Sequence, residues 1–139
     1  MKNFLILCLI CTCTVFSEEK LYGEVQVQDV TSIYDGDTFK CNIMGYPSIV
    51  GEQVSVRIFG IDCPEMKDER EAIKAKARTA KQYSVKRLRE GKVIKLVNMR
   101  RDKYFRILAE VYIDGKSLGE ELVLNGLAKA YDGGTKVSW

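Results

Sequence analysis

The sequence has no histidine among its 139 residues. That absence excludes Ser-His-Asp and Cys-His nucleophilic machinery and any histidine-ligated zinc or iron centre. A general base in this chain has to be a carboxylate, Lys, Tyr or Cys. Internal repeats, low-complexity tracts and Pro/Gly-rich linkers are missing too, so nothing divides residues 18–139 into parts. A length of 139 residues bounds it to one domain with enough chain for a real core. A content of 46% hydrophobic and 29% charged residues is that of an ordinary folded protein and argues against disorder. Phe4 to Phe16 is mostly apolar, but this stretch is short of the roughly 20 residues that span a bilayer.

With Lys2 ahead of it and Val15-Phe16-Ser17 behind it, that stretch reads as a secretory signal peptide over residues 1–17, followed by one folded domain over residues 18–139. An uncleaved anchor is the alternative. Export predicts a secreted or periplasmic protein with no stable membrane association after signal removal. It also removes Cys8, Cys11 and Cys13, leaving Cys41 and Cys63. Two cysteines in an oxidising compartment can form one disulfide. Cys41, however, alternates with Phe39 and Ile43 on the apolar face of a strand, which favours a buried free thiol.

The net charge of +3 hides an asymmetry. Residues 18–66 carry nine acidic and three basic side chains, and residues 67–106 carry fifteen basic and five acidic ones. An acidic segment able to hold a cation is followed by a basic one able to hold a polyanion. A long basic stretch is also what the wet face of a helix looks like, so charge alone does not decide between them.

Val25, Val27 and Val30 open a β-branched strand, Asp35-Gly36 signals a hairpin turn, and Thr38 to Ile43 form the return strand. Val54 to Ile61 alternates as a third strand with Arg57 on its polar face. Residues 69–90 lack Gly and Pro. Their stripe of Ile73, Ala77, Ala80, Ser84 and Leu88 predicts a helix packed on a sheet, ended by Gly91. Val93–Val97 and Ile107–Ile113 predict two more strands, with Asp114-Gly115 as a turn. Ser117-Leu-Gly-Glu120 predicts a capping box opening a second helix whose apolar surface is Leu118, Leu122, Leu124 and Leu127. The order β-β-β-α-β-β-α fits an α+β fold: a five-stranded oligonucleotide-binding (OB-fold) β-barrel with two helices. The short tail from Tyr131 to Trp139 is expected to be poorly ordered.

Three stretches hold the chemistry: Asp35-Gly36-Asp37-Thr38, Arg57 to Glu65 with Asp62-Cys63-Pro64 inside it, and Asp102-Lys103-Tyr104-Phe105-Arg106. Carboxylate oxygens suit a hard divalent cation such as Ca²⁺ or Mg²⁺. The planar fork of Arg matches a phosphate. Each residue alone has an ordinary reading. Asp37 and Asp62 pass as turn and loop carboxylates, Arg57 as a cross-strand ion pair, Glu65 and Arg106 as surface charges. Phosphodiester chemistry explains all five at once.

Those motifs, together with Asn125-Gly-Leu-Ala128, resemble the staphylococcal nuclease (thermonuclease) family from about Glu24 to about Tyr131. The resemblance implies a calcium-dependent, sugar-nonspecific endonuclease that hydrolyses DNA and RNA to 3′-phosphate products. It implies Ca²⁺ carboxylates at Asp37 and Asp62, a further metal ligand in the backbone carbonyl of Cys63, and a general base at Glu65. Arg57 and Arg106 would bind and polarise the phosphate. Tyr104 and Tyr131 are candidate base-stacking residues, although Tyr131 also reads as core or edge packing. Substrates would be DNA and RNA, preferentially single-stranded or frayed, met by a monomer. Two positions depart from the family pattern: Cys63 replaces the usual threonine, and Phe105 stands where glycine is frequent. The rival class is a non-catalytic nucleic-acid-binding or interaction OB-fold module. Relatives of that kind typically lose one charged site residue, and this sequence has lost none.

Overall fold

The computed structural model describes residues 18–136 together with Ser138 and Trp139, so the signal peptide expected over residues 1–17 lies outside the described residues. Strands β1 (Val25–Ile33), β2 (Thr38–Ile43) and β3 (Val54–Ile58) form an antiparallel meander, with the one-turn helix α1 (Ser48–Gly51) between the last two. The two-residue β4 (Ile61–Asp62) leads to the long helix α2 (Glu71–Glu90). After it come β5 (Ile94–Arg101), β6 (Ile107–Ile113), β7 (Lys116–Ser117), helix α3 (Leu118–Leu124) and β8 (Lys129–Ala130).

The sheet order is β3-β2-β1-β5-β6-β7, and β3 pairs again with β6 in parallel, which closes the five long strands into a barrel. Among the described residues, closure leaves no long edge for other chains to pair with. It also fills the interior with the inward set of every strand, including Phe39, Cys41, Val56, Ile58, Leu96, Val111 and Ile113. This is the five-stranded α+β barrel with helices that the residue pattern predicts.

The irregular strands explain themselves. Val27 and Val30 are both buried although an odd spacing should put them on opposite faces. A bulge between Val27 and Asp29 takes up the extra residue. In β5 a second bulge between Val97 and Arg100, with Asn98 at φ 50°, re-aims the strand end. Arg101 then pairs with Ile107, and the two strand ends carry the 102–106 loop. Asp114 and Gly115, at φ 51° and 81°, make the two-residue turn that an Asp-Gly pair favours.

Four expectations need correction. The third strand stops at Ile58, because Phe59-Gly60 turns with Gly60 at φ 82°, and Ile61–Asp62 pairs with Lys129–Ala130 instead. The fourth long strand begins at Ile94 and runs on to Arg101 through its bulge. Gly91 ends α2 as expected, at φ −65°; a Cβ there would collide with the Ile113 side chain, so close packing requires the glycine. Leu124 is exposed, since α3 ends there and turns only Leu118 and Leu122 fully into the core. The tail is held by specific contacts. The Tyr131 N–H donates to Gly60 O at 2.9 Å, its hydroxyl donates to Gly134 O at 2.8 Å, and Arg70 Nη1 donates to Trp139 O at 2.9 Å.

The expected helix stripe is the buried one: Ile73, Ala77, Ala80, Ser84 and Leu88. Its small residues let α2 approach the β1–β2 loop closely. Ser84 Oγ donates to Gly36 O at 2.6 Å, and a Cβ on Gly36 would lie 2.9 Å from Ala80 Cβ. The helix therefore fixes the turn that carries Asp37.

Candidate active site

Barrel closure sets the position of Arg57. In β3 it lies opposite Thr38 of β2 on one side and Leu108 of β6 on the other. It thus stands midway between the Asp35–Asp37 turn and the Asp102–Arg106 loop. Its fork joins two carboxylates: Nη1 donates to Asp37 Oδ1 at 3.0 Å and Nη2 to Asp62 Oδ1 at 2.8 Å. Such charge-assisted bonds are stronger than neutral ones and fix both orientation and distance.

Asp37 is 2% exposed and fully engaged. Besides Arg57, its Oδ1 accepts from Thr38 Oγ1 at 2.9 Å, and its Oδ2 accepts from the Cys63 N–H at 2.9 Å. The backbone N–H of Ile58 bonds Asp37 O at 2.9 Å, tying the turn to β3. Burial raises the Asp37 carboxyl to about 7, against the opposing pull of Arg57 and the Cys63 N–H. The Arg57 guanidinium is held above its usual range: burial opposes the charge, but Asp37 and Asp62 outweigh it.

The third motif is a tight loop built on Asp102. Asp102 Oδ1 accepts from the backbone N–H groups of Tyr104 (2.8 Å) and Arg106 (2.9 Å), and Oδ2 accepts from Arg106 Nε at 2.8 Å. Burial works against the Asp102 charge, but these donors hold its carboxyl below the usual range. Among the described residues none accepts from the terminal nitrogens of Arg106, which leaves that end of the fork for a ligand. Its guanidinium carbon lies 5.3 Å from the Tyr104 ring centre. Phe105 is 82% exposed at φ 62°, a left-handed backbone that disfavours a large side chain. Glycine at this position in the family has its explanation there.

One open cleft of about 680 Å³ gathers the sequence-predicted residues: Asp37, Arg57, Asp62 and Cys63 in its floor, Glu65, Tyr104, Arg106 and Tyr131 around its rim. Tyr104 is exposed and able to stack, whereas the Tyr131 hydroxyl is bonded within the tail. Cys41 and Cys63 are both buried and unpaired. Burial pushes the Cys41 thiol up to about 12, and burial together with Asp37 pushes Cys63 up further, so Cys63 offers no thiolate to a metal.

Sequence reasoning missed Lys136. Its Nζ is 2.6 Å from Glu65 Oε1 and 3.3 Å from Asp62 Oδ1. The only signal in the chain was a lone lysine in a tail without pattern.

Among the described residues no group of three or more Asp, Glu, Cys or His converges as a metal cage. The donor set is two hard carboxylates held side by side. That fits a hard cation that fills its remaining positions with water and substrate phosphate oxygens. It does not fit a structural metal.

Residues 55–137 match the staphylococcal nuclease homologue family. The SPbeta prophage-derived endonuclease YokF of Bacillus subtilis is 36% identical over 107 residues, covering 73% of this chain and 34% of that protein. Endonuclease YncB of the same organism is 35% identical over 107 residues, covering 73% and 48%. An uncharacterized endonuclease of Haemophilus influenzae is 34% identical over 105 residues, covering 73% and 51%. The chain thus spans about half the length of these relatives or less. Because the family match covers more than half of the sequence and includes Arg57, Asp62, Glu65 and Arg106, the chain belongs to the staphylococcal nuclease homologue family.

Proposed function

We propose that the protein is an exported, Ca²⁺-dependent endonuclease that hydrolyses DNA and RNA phosphodiesters without sugar selectivity and leaves 3′-phosphate ends. The observation that carries the reading is the Arg57 fork locked onto Asp37 and Asp62, on the same cleft as Glu65 and Arg106. The names of the related endonucleases support the reaction class, and nucleases of the family generally use Ca²⁺. The apolar stretch over residues 4–16 supports export.

In this reading Asp37, Asp62 and the Cys63 backbone carbonyl hold the cation. When bound, it supplies positive charge against the negative charge that develops on the phosphate oxygens. Arg106 presents its free guanidinium edge to a non-bridging phosphate oxygen, and Arg57 presents its charge from the floor. Glu65 takes a proton from water as the water oxygen bonds to phosphorus. The bond from phosphorus to the 5′-oxygen breaks, that oxygen takes up a proton from solvent water, Glu65 gives its proton back to solvent, and the phosphate stays on the 3′ side. Tyr104 offers a ring on which an unpaired base can stack, which favours single-stranded or frayed substrates over intact duplex.

The experiment is cleavage of plasmid DNA by the purified protein with Ca²⁺ and then with excess chelator. Nicking and linearisation that the chelator abolishes are expected. Salt-sensitive DNA binding with no cleavage at any Ca²⁺ concentration would replace this reading with a non-catalytic binding module.

A further inference from the structure

Lys136 is neither part of the three motifs nor needed by the reaction as written, yet its ammonium sits between two of the five site residues. The distances of 2.6 Å to Glu65 Oε1 and 3.3 Å to Asp62 Oδ1 put one positive charge between the base and a buried carboxylate. Burial alone would lower the Lys136 pKa, but Glu65 and Asp62 together raise it. The ammonium therefore remains charged there.

Position matters more than charge. An ordinary surface lysine loses side-chain freedom when it pairs, which is why exposed ion pairs contribute little. Lys136 is anchored on both sides. Upstream, Tyr131 bonds Gly60 and Gly134, and the Gly134 N–H bonds Asp132 Oδ1 at 3.0 Å. Downstream, Lys129 Nζ donates to Ser138 O at 2.8 Å and lies 4.6 Å from the Trp139 ring centre, while Arg70 holds Trp139 O. Tyr131, Gly133 and Lys136 thus line the cleft with the Lys136 ammonium on Glu65 and Asp62, and the ordering cost is met by contacts outside the site.

We propose that Lys136 is a tethered counter-cation that competes with the free divalent cation for Asp62 and holds Glu65 until that cation arrives. This rests on the reading of Asp37 and Asp62 as the metal carboxylates. A divalent ion approaching Asp62 meets a fixed positive charge, so its binding includes displacement of the ammonium. The same displacement frees Glu65 Oε1. Metal arrival and release of the base become one event, and a site without its cation keeps both carboxylates neutralised.

The test is Ca²⁺ binding measured by titration calorimetry, without substrate, on the full protein and three variants. Lys136→Met should bind Ca²⁺ about 5- to 10-fold more tightly, the size expected for removing one charge-assisted contact at a partly exposed site. Lys136→Arg, which keeps the charge, should stay within about twofold of the parent. Asp62→Asn should weaken binding at least about tenfold. Equal or weaker Ca²⁺ binding by Lys136→Met, with Asp62→Asn still impaired, overturns the role of the lysine and leaves the metal site standing. Unchanged binding by Asp62→Asn overturns both.

Discussion

Replacing Arg57 by Met tests whether the guanidinium is the counter-charge on which the cleft depends. The substitution keeps much of the apolar stem but leaves Asp37 and Asp62, with side chains 2% and 7% exposed, facing each other without their shared cation. Breaking a buried ion pair from one side typically costs about 3–5 kcal/mol. Asp37 keeps its bonds from Thr38 and the Cys63 N–H, and Lys136 stays near Asp62, which places the cost at the lower end, about 3 kcal/mol. With a urea slope of about 1.5 kcal/mol/M for a chain of this size, the midpoint should fall by about 2 M at pH 8 in chelator.

The pH dependence has a definite sign. Asp37 is raised to about 7 in the folded protein from an ordinary 3.8, so between those values the folded state keeps a proton that the unfolded state has lost. Stability associated with this group is present below about pH 4 and is lost as pH rises through about 7. Arg57 is one of the influences holding that value down, so its loss moves the window upward. The cost of Arg57→Met should therefore shrink to about 1 kcal/mol at pH 5, where Asp37 is protonated with or without Arg57 and no unpaired charge is left at that position. A pH-independent loss under 1 kcal/mol would refute the assignment of Arg57 as counter-charge.

Phe105→Gly should stabilise the protein by about 0.5–1 kcal/mol in urea unfolding, because relief of the left-handed backbone exceeds the added chain entropy and little packing is lost at an exposed site. Destabilisation would mean that the Phe105 ring has a packing partner. Gly36→Ala should cost about 2 kcal/mol, since the new methyl lies 2.8 Å from Cys63 Sγ and 2.9 Å from Ala80 Cβ in a packed region; an unchanged urea midpoint would contradict that close approach. Ca²⁺ affinity should rise about tenfold per pH unit between about pH 5 and 7 and level off above, with about one proton released per ion bound, because Asp37 must ionise to bind it. Calorimetry in buffers of different ionisation enthalpy measures that proton directly, and a flat profile would place the ligand carboxylate elsewhere.

Periodicity made the barrel legible. The alternation of β2 and β6 and the small-residue stripe of α2 name the buried faces without any knowledge of topology. What periodicity could not express was why particular glycines are where they are. Gly36 reads as a turn former, yet it is required by the approach of Cys63 and Ala80 from distant parts of the chain. Gly91 reads as a helix stop, which it is, but what requires glycine there is its close approach to Ile113. Phe105 is the reverse case, a left-handed residue that composition would never suggest.

The site was legible to the extent that its residues cluster in motifs. Asp37, Arg57, Asp62, Glu65 and Arg106 fall on three short stretches that barrel closure brings to one cleft. Lys136 was not legible, because its meaning arises only when the tail folds back over residues 60–65 through Tyr131. Charge counting had pointed to residues 67–106 for basic groups, and the cation nearest Glu65 comes from outside that segment.

The central claim is that the Arg57 fork aligned on Asp37 and Asp62 and the free guanidinium edge of Arg106 serve one phosphate together, and single-turnover cleavage of single-stranded DNA at saturating Ca²⁺ by Arg57→Lys and Arg106→Lys measures it most directly. Lysine keeps the charge and loses the planar pair of donors, so each variant should cleave at least about 10²-fold more slowly while remaining folded. Rates within about threefold of the parent for both variants would contradict the assignment of these two arginines.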